Sequence, residues 1–136
     1  MNAHTDMQVE FALHEFPCSP EVITRALGIT PTAVWSQGDA IPPSSVRRKS
    51  NGWLLRSEAS PRVVDLEPHV KWLLSKLPSS LDVLKEGCAT WYAEISVIVN
   101  LRDGAPVLHL PSELLGQVAA LGASLDVDVY VRRQKH

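Results

Sequence analysis

The sequence predicts an α+β domain: a ferredoxin-like split βαβ pair with one inserted helix, a mainly antiparallel sheet, and all helices on one sheet face. Three observations lead there. Three segments alternate apolar and polar side chains with period two, and a fourth, shorter apolar run accompanies them. The stretches between them place apolar residues at helical spacing, bracketed by capping residues. Their order is strand–helix–strand, helix, strand–helix–strand.

The first strand is expected over residues 7–14, with Met7, Val9, Phe11 and Leu13 opposed to Gln8, Glu10, Ala12 and His14. A short helix follows. Ser19 suits the N-cap, Pro20 the first helical position, and Glu21 the positive end of the helix dipole. Val22, Ile23, Ala26 and Leu27 form its apolar side, and Gly28 is its stop. Residues 30–51 are the least regular stretch, with a turn at Gln37-Gly38-Asp39 and a short edge strand at Ala33-Val34-Trp35.

Residues 52–57 read as the second main strand. Asp65 caps the next helix, whose face is Leu66, Val70, Leu73, Leu74 and Leu77, and Pro78 ends it. A second helical piece is expected over 80–86, closed by Gly87. The third main strand, 90–101, sets Trp91, Ala93, Ile95, Val97, Val99 and Leu101 against Thr90, Tyr92, Glu94 and Ser96. A short extra strand is expected at 107–110, then a helix over 112–121 stopped by Gly122. The fourth main strand, 124–132, has the clearest alternation, Leu125, Val127, Val129 and Val131 against Asp126, Asp128, Tyr130 and Arg132. The expected core includes Val9, Phe11, Leu27, Leu55, Leu73, Ile95, Val97, Leu115, Val127 and Val129.

The 136 residues fit one domain, 1–136, with flexible tails at 1–6 and 133–136 and an irregular loop over 36–51. A hydrophobic share of 45% and a charged share of 21% are ordinary for a globular chain. A net charge of -2 argues against nucleic-acid binding, which draws most of its affinity from phosphate neutralisation. The basic clusters Arg47-Arg48-Lys49 and Arg132-Arg133-Gln134-Lys135-His136 read as solvated loop and tail. No apolar run approaches the length of a membrane helix and no signal segment stands at the N-terminus, so membrane association is not expected and the cytoplasm is. Cys18 and Cys88 would then stay reduced, Cys18 as a plain structural thiol, although pairing between them is left open by sequence. The two cysteines and five histidines show no metal-ligand spacing, and no cofactor is expected.

A set of short motifs runs through nearly the whole chain. It comprises Phe16, Ser19-Pro20-Glu21, Leu27-Gly28-Ile29, Pro31-Thr32, Trp35, Gly38-Asp39, Gly52-Trp53 and Ser57. It closes with Glu113-Leu114-Leu115 and the run Leu121-Gly122-Ala123-Ser124-Leu125-Asp126-Val127-Asp128-Val129-Tyr130. In this the chain resembles a widespread bacterial family of small proteins known as domain of unknown function 4279. Pro111-Ser112-Glu113 departs from the family pattern, which has Ser-Pro-Glu at that helix start. The resemblance supports the fold unit and carries no activity or catalytic residue.

Catalysis is not expected, because no nucleophile–base arrangement is signalled by spacing. The leading expectation is a non-catalytic protein-interaction module that uses the open, acidic sheet face. With the final strand beside the first, Glu10, Glu94, Asp126 and Asp128 gather there and favour a basic protein partner. An immunity protein blocking a basic toxin is one physical model, and a homodimer through the same face is the other use of such a sheet. The alternative is a sensor for a small anionic or planar ligand, held by Trp35, Arg47, Arg48 and Trp53 around the long loop. Against it stands the plainer reading that Trp53 is core and Trp35 packs the loop down.

Overall fold

The computed structural model describes residues 4–132. In chain order the elements are β1 (Asp6–His14), α1 (Pro20–Leu27), β2 (Ala33–Trp35), β3 (Gly52–Arg56), α2 (Leu66–Lys76), a short 3-10 helix (Asp82–Glu86), β4 (Tyr92–Leu101), α3 (Ser112–Ala120) and β5 (Ala123–Val131). The α+β class stands. Helix boundaries follow local chemistry. Gly28 closes α1 in the left-handed region at φ 67°, its N–H donating to Thr24 O. Asp65 closes the front of α2 by accepting from the Glu67 N–H at 3.2 Å. Ser19 occupies the N-cap of α1 but makes no side-chain cap bond.

The sheet is mixed. Its order among the described residues is β2-β3-β1-β4-β5, with β2–β3, β3–β1 and β1–β4 antiparallel and β4–β5 parallel. This corrects the expected order, which set the last strand beside the first. A strand has two edges, and those of β1 are taken by β3 and β4. The last strand therefore returns, after its α3 crossover, to the outer edge of β4. The two halves that look alike in sequence close differently. β1–α1–β2 joins two strands of the same direction with β3 slotted between them, whereas β4–α3–β5 joins direct neighbours.

The odd-numbered residues of β1, β3 and β4 point to one face and pack with Ile23 of α1, Leu66, Val70 and Leu73 of α2, Leu77 at its C-cap, and Val118 of α3 in one cluster. The helices thus share one side. Phe11 and Trp53 meet edge-on at its centre, 6.3 Å between rings. Several expectations fail at the β5 end. Leu115, Val127 and Val129 are exposed rather than core, and Leu27 is half-buried. The stretch 107–110 makes no strand, only a bridge from Val107 to Asp65. Of the tail expected at 1–6, residues 4–6 are bonded to the fold. His4 bridges to Asp103, Thr5 is buried with its hydroxyl on Gly104 O, and Asp6 starts β1. Residues 1–3 and 133–136, including the basic Arg133, Lys135 and His136, lie outside the described residues.

Cys18 and Cys88 are paired as a disulfide, Cα atoms 5.4 Å apart, tying the start of α1 to the chain just past the 3-10 helix. This replaces the expectation of separate structural thiols. No helix among the described residues is long and apolar enough to cross a membrane.

Candidate functional site

The even-numbered residues of β1, β4 and β5 face away from the helices, as their alternation requires. Glu10, Glu94, Asp126 and Asp128 therefore do share the open face. They do not form one cluster. Asp126 is registered on Ser96 and Asp128 on Ile98, which puts β4 between them and Glu10. At ordinary strand spacing that is about 10 Å from Glu10 to Asp126.

Two of the four carboxylates are occupied within the fold. Glu10 is 8% exposed and its Oε2 accepts from Arg56 Nε and Nη2, each at 2.8 Å, and from Gln8 Nε2 at 3.0 Å. Glu94 lies 3.1 Å from His14 Nε2. A third pair at the far end of the face, Asp6 with Arg102 at 3.0 Å, is braced by Asn100. Asp126 and Asp128 are exposed, and their side chains make no hydrogen bond or ion pair among the described residues. Among the described residues, the negative charge on this face that lacks an internal partner is thus concentrated on β5.

The loop residues Arg47 and Arg48 do come to Trp35. A shallow recess of about 290 Å³ is lined by His14, Trp35, Ile41, Val46, Arg47, Arg48, Lys49 and Ser50. The Arg48 guanidinium stacks 4.2 Å from the Trp35 ring centroid, and Arg47 donates to Gly38 O at 3.2 Å. Gly52 makes this possible, because a β-carbon there would run into the Trp35 indole. Trp53 is not part of the recess. It faces the core, 0% exposed, with its indole N–H donating to Thr24 Oγ1 at 3.0 Å. The register explains the split, since Trp35 is opposite Gly52 and Trp53 opposite Val34, so the two tryptophans stand on opposite faces.

One serine–histidine pair was not legible in sequence. Ser57 Oγ and His69 Nδ1 are 2.9 Å apart, and His69 Nε2 donates to Val63 O at 2.7 Å. The second bond sets the tautomer, so Nδ1 accepts the Ser57 hydroxyl proton. Both residues are buried, His69 at 1% exposure. Ser57 is 8% exposed, and the pair clamps the 57–63 segment onto α2. Twelve residues separate the two, a spacing with no signature of its own.

The most unusual surface is β5. Leu125, Val127 and Val129 lie beside Ile95, Val97 and Val99 of β4, on the helix side of the sheet. The β4 residues are 0% exposed, while their β5 neighbours are 42%, 36% and 50% exposed. Helix α3 leaves this end of the apolar layer partly uncovered. The outer edge of β5 pairs with no strand among the described residues. An apolar strand with a free edge is a template for another strand. Sequence reasoning missed it because an uncovered edge strand alternates in the same way as a half-buried one.

No curated protein and no solved structure matches the chain. A family model described as Domain of unknown function (DUF4279) matches residues 3–132, which spans every element of the sheet and its helical layer. On that match over nearly its full length, the chain belongs to the DUF4279 family.

Proposed function

We propose that this protein is a non-catalytic protein-interaction module that binds by strand addition along β5. The observation that carries the reading is the contrast across one sheet register. Ile95, Val97 and Val99 are sealed, and Leu125, Val127 and Val129 beside them are open to water. Such a strip has no structural use in an isolated chain and favours a partner that covers it. Asp126 and Asp128 on the same strand set the charge that the incoming segment must answer. This narrows the acidic-face reading to one strand, since Glu10 and Glu94 already have internal partners. Placement of a photo-reactive residue at Val127 in living cells tests the reading, with Lys71 on α2 as the control position. The expected result is a covalent adduct to a protein chain from position 127 and none from 71. Equal labelling from both positions, or none from either, defeats it.

The recess at Trp35 favours a second reading. Three cationic side chains, Arg47, Arg48 and Lys49, converge beside one indole. That chemistry suits a planar anion, held by stacking and by forked hydrogen bonds. Quenching of tryptophan emission by an aromatic carboxylate, lost in an Arg47→Ala, Arg48→Ala double variant, would support it. Location enters through the cysteines. The closed Cys18–Cys88 bond fits an oxidising compartment, whereas the cytoplasm expected from sequence would hold both as thiols.

A further inference from the structure

The free edge of β5 is specific enough to name its occupant. Arg132 N–H donates inward to Leu101 O at 2.8 Å. Successive residues of a strand direct their backbone groups to opposite sides. The even-numbered residues of β5 therefore bond to β4, and Leu125, Val127, Val129 and Val131 aim N–H and C=O at the free edge.

We propose that the occupant is a second copy of this chain, its β5 antiparallel to the first about a two-fold axis at Val129, joining two five-stranded sheets into one. The proposal rests on the interaction-module reading and deepens it by naming the partner. Charge complementarity supports this occupant, and charge together with the length of the overlap selects the register. About an axis at Val129, Asp126 falls opposite Arg132 of the other copy, and the two-fold repeats that pair. Asp128 falls opposite Tyr130, and Val127 opposite Val131. The guanidinium of Arg132 is already on the open face with the aspartates, held by Asn100 Oδ1 at 3.0 Å and packed 5.2 Å from the Tyr130 ring centroid.

Neighbouring registers are worse. An axis at Val127 sets Asp126 against Asp128 twice, and an axis at Asp128 sets that residue against itself. Like charges directly opposite destabilise a strand pair. An axis at Tyr130 sets Asp128 opposite Arg132 but shortens the described overlap from residues 126–132 to 128–132. At Val129 the outward backbone groups of Val127, Val129 and Val131 are all used. Their side chains, 36%, 50% and 71% exposed in the single chain, join across the seam on the helix side. A two-fold contact of this kind is self-complementary and closes at two copies.

Sedimentation of the intact chain over a range of concentrations, with chain folding followed by circular dichroism, tests the proposal. The wild-type chain is expected to dimerise. Val129→Lys is expected to sediment as a folded monomer, because its side chain is already at the surface. Asp126→Arg and Arg132→Asp are each expected to weaken association by about tenfold, and the double charge swap to restore it. Val129→Cys is expected to cross-link to itself on oxidation, as directly opposite Cα atoms in a hydrogen-bonded pair stand about 5.5 Å apart. A monomeric wild-type chain at all concentrations overturns the proposal, and so does cross-linking by Tyr130→Cys but not Val129→Cys. Adducts from a photo-reactive residue at 127 separate this failure from that of the broader reading. An adduct to a different protein removes the second copy and leaves the module, whereas no adduct removes both.

Discussion

Glu10 and Arg56 face one another across the β1–β3 ladder, joined by two contacts of 2.8 Å between the guanidinium and one carboxylate oxygen. The pair turns a residue expected to attract a partner into an internal brace between a central strand and its neighbour. Glu10 is 8% exposed, so it has given up most of its water and depends on Arg56 and Gln8 for replacement. Arg56→Met is expected to lower stability by about 1–3 kcal/mol, the cost of leaving a charged acceptor short of donors. Glu10→Gln combined with Arg56→Met should cost less than the sum of the single changes, because both remove the same interaction. Urea unfolding of the four-member cycle checks this, and strict additivity would count against the brace.

The Cys18–Cys88 bond spans 70 residues, which includes β2, β3 and α2. Opening it frees that whole loop in the unfolded chain. In the chain-entropy account a loop of this length corresponds to about 4 kcal/mol. Thermal unfolding with and without reductant, and of Cys18→Ser with Cys88→Ser, should show a large fall in Tm. Equal midpoints with and without reductant would mean that the two sulfurs contribute nothing as a bond.

Two valines on neighbouring strands make a direct test of where the core ends. Val97 on β4 is registered on Val127 and Val129 on β5 is registered on Val99, so the two valines point to the same side, two positions apart. Val97 is 0% exposed and Val129 50%. Val97→Asp places an unpaired charge in the core and should prevent folding, a loss of about 4 kcal/mol or more. Val129→Asp, measured at dilution, should change stability by about 1 kcal/mol at most. Comparable losses at both positions would show that β5 is covered in the single chain.

Gly52→Ala is expected to push Trp35 off the surface of β3, since the added methyl collides with the indole. The cost should be about 1–3 kcal/mol, typical of forced repacking. Emission in a Trp72→Phe, Trp91→Phe background, which keeps Trp35 and the buried Trp53, should move to longer wavelength as the Trp35 ring gains water. The stacked Arg48 should lose its platform at the same time. Unchanged emission would place the ring elsewhere.

Local structure was legible from the chain alone. Period-two alternation located β1, β4 and β5 to within two residues, and Gly28 and Asp65 marked the limits of α1 and α2 for reasons of backbone and capping chemistry. Alternation also assigned Glu10, Glu94, Asp126 and Asp128 correctly to one face. It is a property of a single strand, so it carries no information about which strands are neighbours. Only the tertiary structure decided that β3 and β4 fill both edges of β1, that β5 therefore ends at the rim, and that Leu125, Val127 and Val129 stay uncovered. The same limit divided Trp35 from Trp53. Both flank one loop in sequence, but the β2–β3 register sends one ring to the open face and the other into the core. Pairing of strands is settled by long-range competition for edges and for apolar cover, and that competition involves residues too far apart in the chain for any local pattern to record.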